Sequence, residues 1–166
     1  VDAQAVIVGG GCAGLSLAVH VVLAARRAGV ACPRVVVLEP RDEYRRDRTW
    51  CGWRFEAHPF AAAVSHRWTR WAVQDGARRV LRGSERHPYE HVPADRFYDL
   101  ALASLGPVRL ARGVRVGELE ARGEHVVVHS SAGALRAGLV LDSRPEAAPE
   151  RSAVDEVDLV QHFVGW

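Results

Sequence analysis

Residues 5–40 read AVIVGGGCAGLSLAVHVVLAARRAGVACPRVVVLEP: an apolar run, a glycine cluster, a long apolar segment and a second apolar run that closes on an acid. Continuous Val, Ile and Leu without polar alternation suit a parallel strand covered on both faces. The pattern predicts a strand over AVIV, a helix through CAGLSLAVHVVLAARRA ending near Gly29, and a second strand at 35–40. Strand, crossover helix and strand make a βαβ unit, whose hand is nearly always right.

Gly9, Gly11 and Gly14 have the spacing GxGxxG. Glycines cluster in many turns, so the spacing alone is weak. Here it directly follows a strand, opens a helix, and is answered by Glu39 at the end of the next strand, which is the context a dinucleotide fingerprint requires. Gly9, Gly10, Gly11, Cys12, Ala13 and Gly14 are therefore the candidate phosphate-binding loop. The helix that starts there offers free N–H groups and a positive dipole end. Glu39 would accept hydrogen bonds from the adenosine ribose, and its charge disfavours a 2′-phosphate, so FAD or NAD fits better than NADP. The alternative is a glycine-rich turn that binds nothing.

From Arg41 to Val92 the apolar pattern breaks into Arg, His and Trp, with SHRWTRWAVQ (65–74) as a candidate strand. PADRFYDLALASLG (93–106) reads as a helix, with Pro and Asp at its start and Gly at its end. VRVGELEAR, HVVVHSS and ALRAGLVLD, separated by the turns RGE and SAG, read as an antiparallel meander. Its last segment, GLVLD, is apolar enough to rejoin the parallel sheet. NAD-type domains usually continue with more βα units, whereas a long excursion, a helix and a meander before a returning strand form the glutathione-reductase-like layout. The expected class is thus α/β, a Rossmann-like FAD- or NAD(P)-binding domain of that flavoprotein class, with a β-meander and the start of a substrate domain. Residues 1–45 would hold the first βαβ unit and 46–92 an inserted substrate-side segment. Residues 93–145 would supply the helix, meander and returning strand, and 146–166 a loop and the truncated start of the substrate domain. Asp142, ending the returning strand, would face the flavin side of the cofactor; the alternative is an ordinary turn aspartate.

Composition narrows the function classes. A net charge of +2 gives no strong field for nucleic acid. All 22 basic residues are Arg, a bias of coding rather than chemistry. Cys12, Cys32 and Cys51 are odd in number and contain no CxxC, which argues against a disulfide framework or a metal site and fits a reducing cytosol. The longest apolar run, Leu15–Ala25, falls short of the roughly 20 residues that span a bilayer, so any membrane contact is expected to be peripheral. The strand-like ending VQHFVGW (160–166) suggests that the native chain continues.

RDRTWCGW (46–53) places two tryptophans where a surface loop would be polar. Trp50 and Trp53 either pack the excursion against the core or await an apolar ligand. GGGCAG with Glu39, then RDRTWCGW, PYEHVPADRFYD (88–99), VLDSRP (140–145) and QHFVGW (161–166), occur in an order that resembles bacterial lycopene β-cyclases. The resemblance covers nearly the whole chain.

That resemblance implies a redox-neutral isomerase of carotenoid biosynthesis that holds reduced FAD, with NAD(P)H as the reductant. The linear ψ-end of lycopene would be protonated, close on itself as a carbocation, and lose a proton to leave a β-ionone ring. Such a site must exclude water and offer π faces to the cation. Trp50 and Trp53 would then line the carotenoid site, and the enzyme would be cytoplasmic and peripherally associated with the membrane. Arg46 and Arg48 could approach the cofactor phosphates or stay solvated. His162, Phe163 and Trp166 resemble the family's entry into the substrate sheet, and His162 reads as a packed strand residue rather than an acid. The family's acidic motif would lie beyond Trp166, with FEAHP (55–59) only a superficial echo, so no catalytic residue is assigned and the fragment alone is expected to be inactive. The alternatives are an FAD-dependent reductase or hydroxylase of the same superfamily, and a non-catalytic nucleotide-binding fragment.

Overall fold

The computed structural model describes residues 1–144. β1 (Ala3–Val8), α1 (Cys12–Ala28) and β2 (Val35–Glu39) form the expected βαβ unit, with β1 and β2 parallel from Ala5↔Val35 to Val8↔Leu38. Leu15, Ala18, Val19, Val22 and Ala25 recur at helical spacing and bury one face of α1. Gly29, at φ 66°, closes the helix in the left-handed conformation that favours glycine.

The excursion is short strands and one 3₁₀ turn (Ala61–Ala63): β3 (Thr49–Trp53), β4 (His66–Trp68), β5 (Arg70–Asp75), β6 (Arg78–Gly83) and β7 (Tyr89–Pro93). β3, β7 and β4 make one antiparallel sheet, while β5 and β6 pair only with each other. SHRWTRWAVQ, expected as a single strand, is thus two strands in two sheets. The chain breaks at Thr69, whose carbonyl accepts the Ser84 N–H and ties off the hairpin base.

α2 (Ala94–Ser104) starts at Pro93, which needs no N–H there, and buries Phe97, Tyr98 and Ala101. Residues 109–112, unassigned by sequence pattern, form β8 (Arg109–Arg112), parallel to β2. β9 (Val116–Arg122), β10 (His125–Ser130) and β11 (Gly133–Asp142) make the meander. β11 does two jobs. Its first half pairs antiparallel with β10, and from Ala137 to Asp142 it pairs parallel with β1. The main sheet therefore runs β8-β2-β1-β11-β10-β9.

Two apolar clusters cover its faces. Ile7, Val35 and Val37 pack with α1 and α2 on one side, and Val6, Val8 and Leu38 pack with Val116, Val128 and Ala137 on the other. This is the predicted Rossmann-like α/β fold with its meander. Residues 145–166, including the expected acidic loop, His162 and the QHFVGW strand, lie outside the described residues. Among the described residues no helix is long and apolar enough to cross a membrane.

Candidate dinucleotide-binding site

The C-terminal ends of β1, β2 and β11 converge beside the N-terminus of α1, where open parallel sheets bind ligands. A cavity of about 640 Å³ opens there, walled by Gly9, Gly11, Cys12, Ala13 and Glu39 from the predicted loop and acid. Gly9 has φ +96°, and its close neighbour is the Ser143 hydroxyl. A Cβ on Gly14 would overlap the Gly9 carbonyl, so the turn closes on its own helix only with glycine at 14. Gly11 differs. A Cβ there meets nothing within 4 Å, because the position faces the open cavity. No side chain caps α1 and no acid occupies its first turn, so its N–H groups remain open to an anion. These features fit a pyrophosphate.

Glu39 is 3% exposed and accepts four hydrogen bonds. They come from the Gly10 N–H at 2.7 Å, the Arg41 N–H at 2.9 Å, and Arg41 Nε and Nη2 at 2.7 and 3.3 Å. Burial pushes the Glu39 carboxyl up, but the hydrogen bonds from Arg41 and Gly10 outweigh it and leave the group below the ordinary glutamate value. Arg41 also donates to the Tyr98 hydroxyl at 3.0 Å and lies 4.9 Å from the Tyr44 ring centroid. Tyr44 and Tyr98 stack at 4.3 Å, and the Tyr44 hydroxyl donates to the Gly10 carbonyl at 2.8 Å. A diol entering the cavity therefore competes with the Arg41 guanidinium for Glu39.

Asp142 is in register with Val8, at the returning strand's end as expected. Its carboxylate is gripped by Arg144 at 2.6–3.0 Å, and those bonds hold it below the ordinary aspartate range. It borders a smaller pocket of about 190 Å³ beside Ala13 and Gly14, while Ser143 and Arg144 line the main cavity. Burial pushes the thiol of Cys12, the first residue of α1, up from its ordinary value. Among the described residues no cluster of three or more His, Cys, Asp or Glu side chains could hold a metal ion.

The tryptophans separate. Three residues apart on a strand of period two, they face opposite ways. Trp50 lines the main cavity and meets Phe97 and Tyr98 edge-on at 5.1 and 5.7 Å. Trp53 is 48% exposed and packs on Tyr89 and Trp71 instead. Arg48 reaches the main cavity, whereas Arg46 is exposed and does not line it. Sequence pattern missed Arg41, Tyr98, Arg115 and Arg144, which complete the wall. For Arg41 the signal was its place two residues beyond Glu39.

The family model described as lycopene cyclase protein matches residues 4–166. The chain belongs to the lycopene cyclase family. No curated protein matches its sequence significantly. Among solved structures, AlpK resembles this lycopene cyclase family chain with a TM-score of 0.63 at 20% identity, covering 86% of this chain and 31% of AlpK. Halogenase PltM in complex with phloroglucinol and FAD gives 0.62 at 14% identity, over 90% of this chain and 35% of PltM. CabE, an aromatic hydroxylase from angucycline biosynthesis, gives 0.59 at 28% identity, over 84% and 30%. The chain spans about a third of the length of these proteins.

Proposed function

We propose that this chain supplies the dinucleotide-binding part of a lycopene β-cyclase, which closes lycopene ψ-ends to β-ionone rings without net oxidation. The family match running from β1 to Trp166 carries this reading. FAD is the proposed cofactor, kept reduced by NAD(P)H; when bound, it supplies an electron-rich face beside the developing cation. The FAD complex of PltM supports that choice. The uncapped α1 N-terminus would hold the pyrophosphate and Glu39 the ribose, once Arg41 yields. Trp50 would give the cavity an apolar wall that excludes water.

Glu39, Glu90 and Asp142 are all held below the ordinary carboxylate range by arginine or histidine partners. Lycopene as substrate and a peripheral, cytoplasmic contact with the membrane belong to the same proposal.

A second reading, flavin-dependent hydroxylation, draws on CabE at 28% identity. Product mass separates the two: cyclisation leaves it unchanged, and hydroxylation adds one oxygen. The cofactor placement is tested by Gly11→Val. Its side chain enters open cavity rather than protein, so flavin binding should be lost at an unchanged melting temperature. Wild-type flavin content in that variant would sink the placement.

A further inference from the structure

Each oxygen of the Glu39 carboxylate holds one backbone donor and one side-chain donor. Oε1 takes the Arg41 N–H at 2.9 Å and Arg41 Nε at 2.7 Å, and Oε2 takes the Gly10 N–H at 2.7 Å and Arg41 Nη2 at 3.3 Å. A carboxylate offers about four lone-pair sites, so these bonds fill it. The backbone donors are fixed by the turn. The two Arg41 side-chain donors are the ones a ribose can replace, since a cis-diol brings one O–H to each oxygen.

Arg41 has a second position within reach. Its Nη1 already donates to the Tyr98 hydroxyl at 3.0 Å and to Asp47 Oδ2 at 3.3 Å. Its guanidinium carbon lies 4.9 and 5.4 Å from the Tyr44 and Tyr98 ring centroids. Nη2 also donates to the Gly10 carbonyl at 3.4 Å, but the Tyr44 hydroxyl, at 2.8 Å, keeps that oxygen paired when Arg41 leaves. Asp47 Oδ2 is shared: Arg48 Nε stands 3.5 Å from it, and Arg48 lines the main cavity.

We propose that Arg41 is a two-position residue: it holds the ribose subsite on Glu39, and an adenosine diol drives it across to Asp47. The proposal rests on the dinucleotide reading of the site and adds that the protein carries its own competitor for the adenosine end. On Glu39, the guanidinium keeps a buried acid from standing uncompensated. The same pairing weakens the ligand, because two charge-assisted bonds must break before the diol makes its own. Closing on Asp47, Arg41 displaces Arg48 from the shared oxygen and frees it for the cavity. Occupation of the ribose subsite is thereby coupled to a second cation in the cavity wall.

The test is calorimetric titration of the full chain, stripped of flavin, with ADP and with inorganic pyrophosphate, which has no ribose. Arg41→Gln removes a positive charge from the cavity and should weaken pyrophosphate. ADP should gain on it, so that the ratio of the two affinities rises on the order of tenfold, the strength of one charged hydrogen bond. Asp47→Asn removes the second position and should lower the same ratio by about threefold, the scale of a part-exposed ion pair. Without ligand, Arg41→Gln should melt below wild type, and saturating ADP should narrow the gap. A ratio that falls or stays the same in Arg41→Gln overturns the proposal, because Arg41 is then a contact of the ligand or a bystander. If that variant does not fold, Asp47→Asn decides alone, and a ratio it leaves unchanged is equally fatal. Wild-type protein that binds neither ADP nor pyrophosphate overturns the dinucleotide placement itself, whereas a failed Arg41 or Asp47 result beside normal wild-type binding overturns only the switch.

Discussion

Val6, Ile7, Val8, Val37 and Leu38 of the parallel sheet are at most 5% exposed, whereas in β4, β5 and β6 only Trp71 and Val80 have even partial cover. The first region is held by apolar layers on both faces and the second by cover on one face or none. Its firmest point is ionic. Glu90, 4% exposed, takes Arg67 at 2.7 Å and His58 at 3.0 Å, with Arg54 Nε also 3.0 Å away. The difference separates a region whose residues serve the fold from one whose large side chains are free for other contacts.

The sharpest way to break that contrast is in the parallel region. Gly14→Val drives a side chain into the Gly9 carbonyl and should cost about 3 kcal/mol or more in denaturant unfolding. A stability near wild type would mean that the glycine turn is not as tight as described.

Glu90→Gln comes next, with an expected loss of about 2 kcal/mol, below that for a fully buried pair because Arg67 keeps much of its hydration. Burial pushes the Glu90 carboxyl up, but hydrogen bonds from His58 and Arg67 bring it below its ordinary value of 4.5. The unfolded chain then binds the proton more readily. The stabilisation is complete above that value and fades as pH falls through the lower folded one. Acid unfolding of Glu90→Gln should accordingly be less steep, and a wild-type pH profile would remove the ionic anchor from the account.

Trp50→Leu should lose about 1.5 kcal/mol through its contacts with Phe97 and Tyr98, and Trp50→Phe less. Thermal melts would read both. If Trp50 also walls the carotenoid site, turnover should fall further for Leu than for Phe once stability is accounted for.

Trp53→Leu, on the open face, should change stability by about 0.5 kcal/mol or less. A loss equal to that of Trp50 would erase the distinction between the two faces of β3.

Legibility followed the same division. AVIV and VVVLEP could be read as parallel strands because burial on both faces leaves almost only apolar residues, whereas GLVLD was legible from its apolar run alone, with Leu139 53% exposed. The glycine turn was readable because its conformation and close packing exclude side chains. SHRWTRWAVQ was not, since a strand packed on one side and a hairpin packed on neither carry no consistent alternation. The two tryptophans of RDRTWCGW could not be separated until β3 was known to be extended through both, and β8 had too few apolar residues to stand out.

The residue order alone dictates the βαβ unit, the loop from Gly9 to Gly14 and the acid at 39, because each depends on local geometry or on continuous burial, and the apolar run of β11 marks it as the strand that returns beside β1. Folding adds what depends on residues far apart in the chain. It brings Tyr98 from α2 onto Arg41, carries Ser143 and Arg144 to the glycine loop, and turns Trp50 inward while leaving Trp53 in solvent. Those outcomes are set by which surfaces meet, and neither periodicity nor spacing along a chain records a meeting.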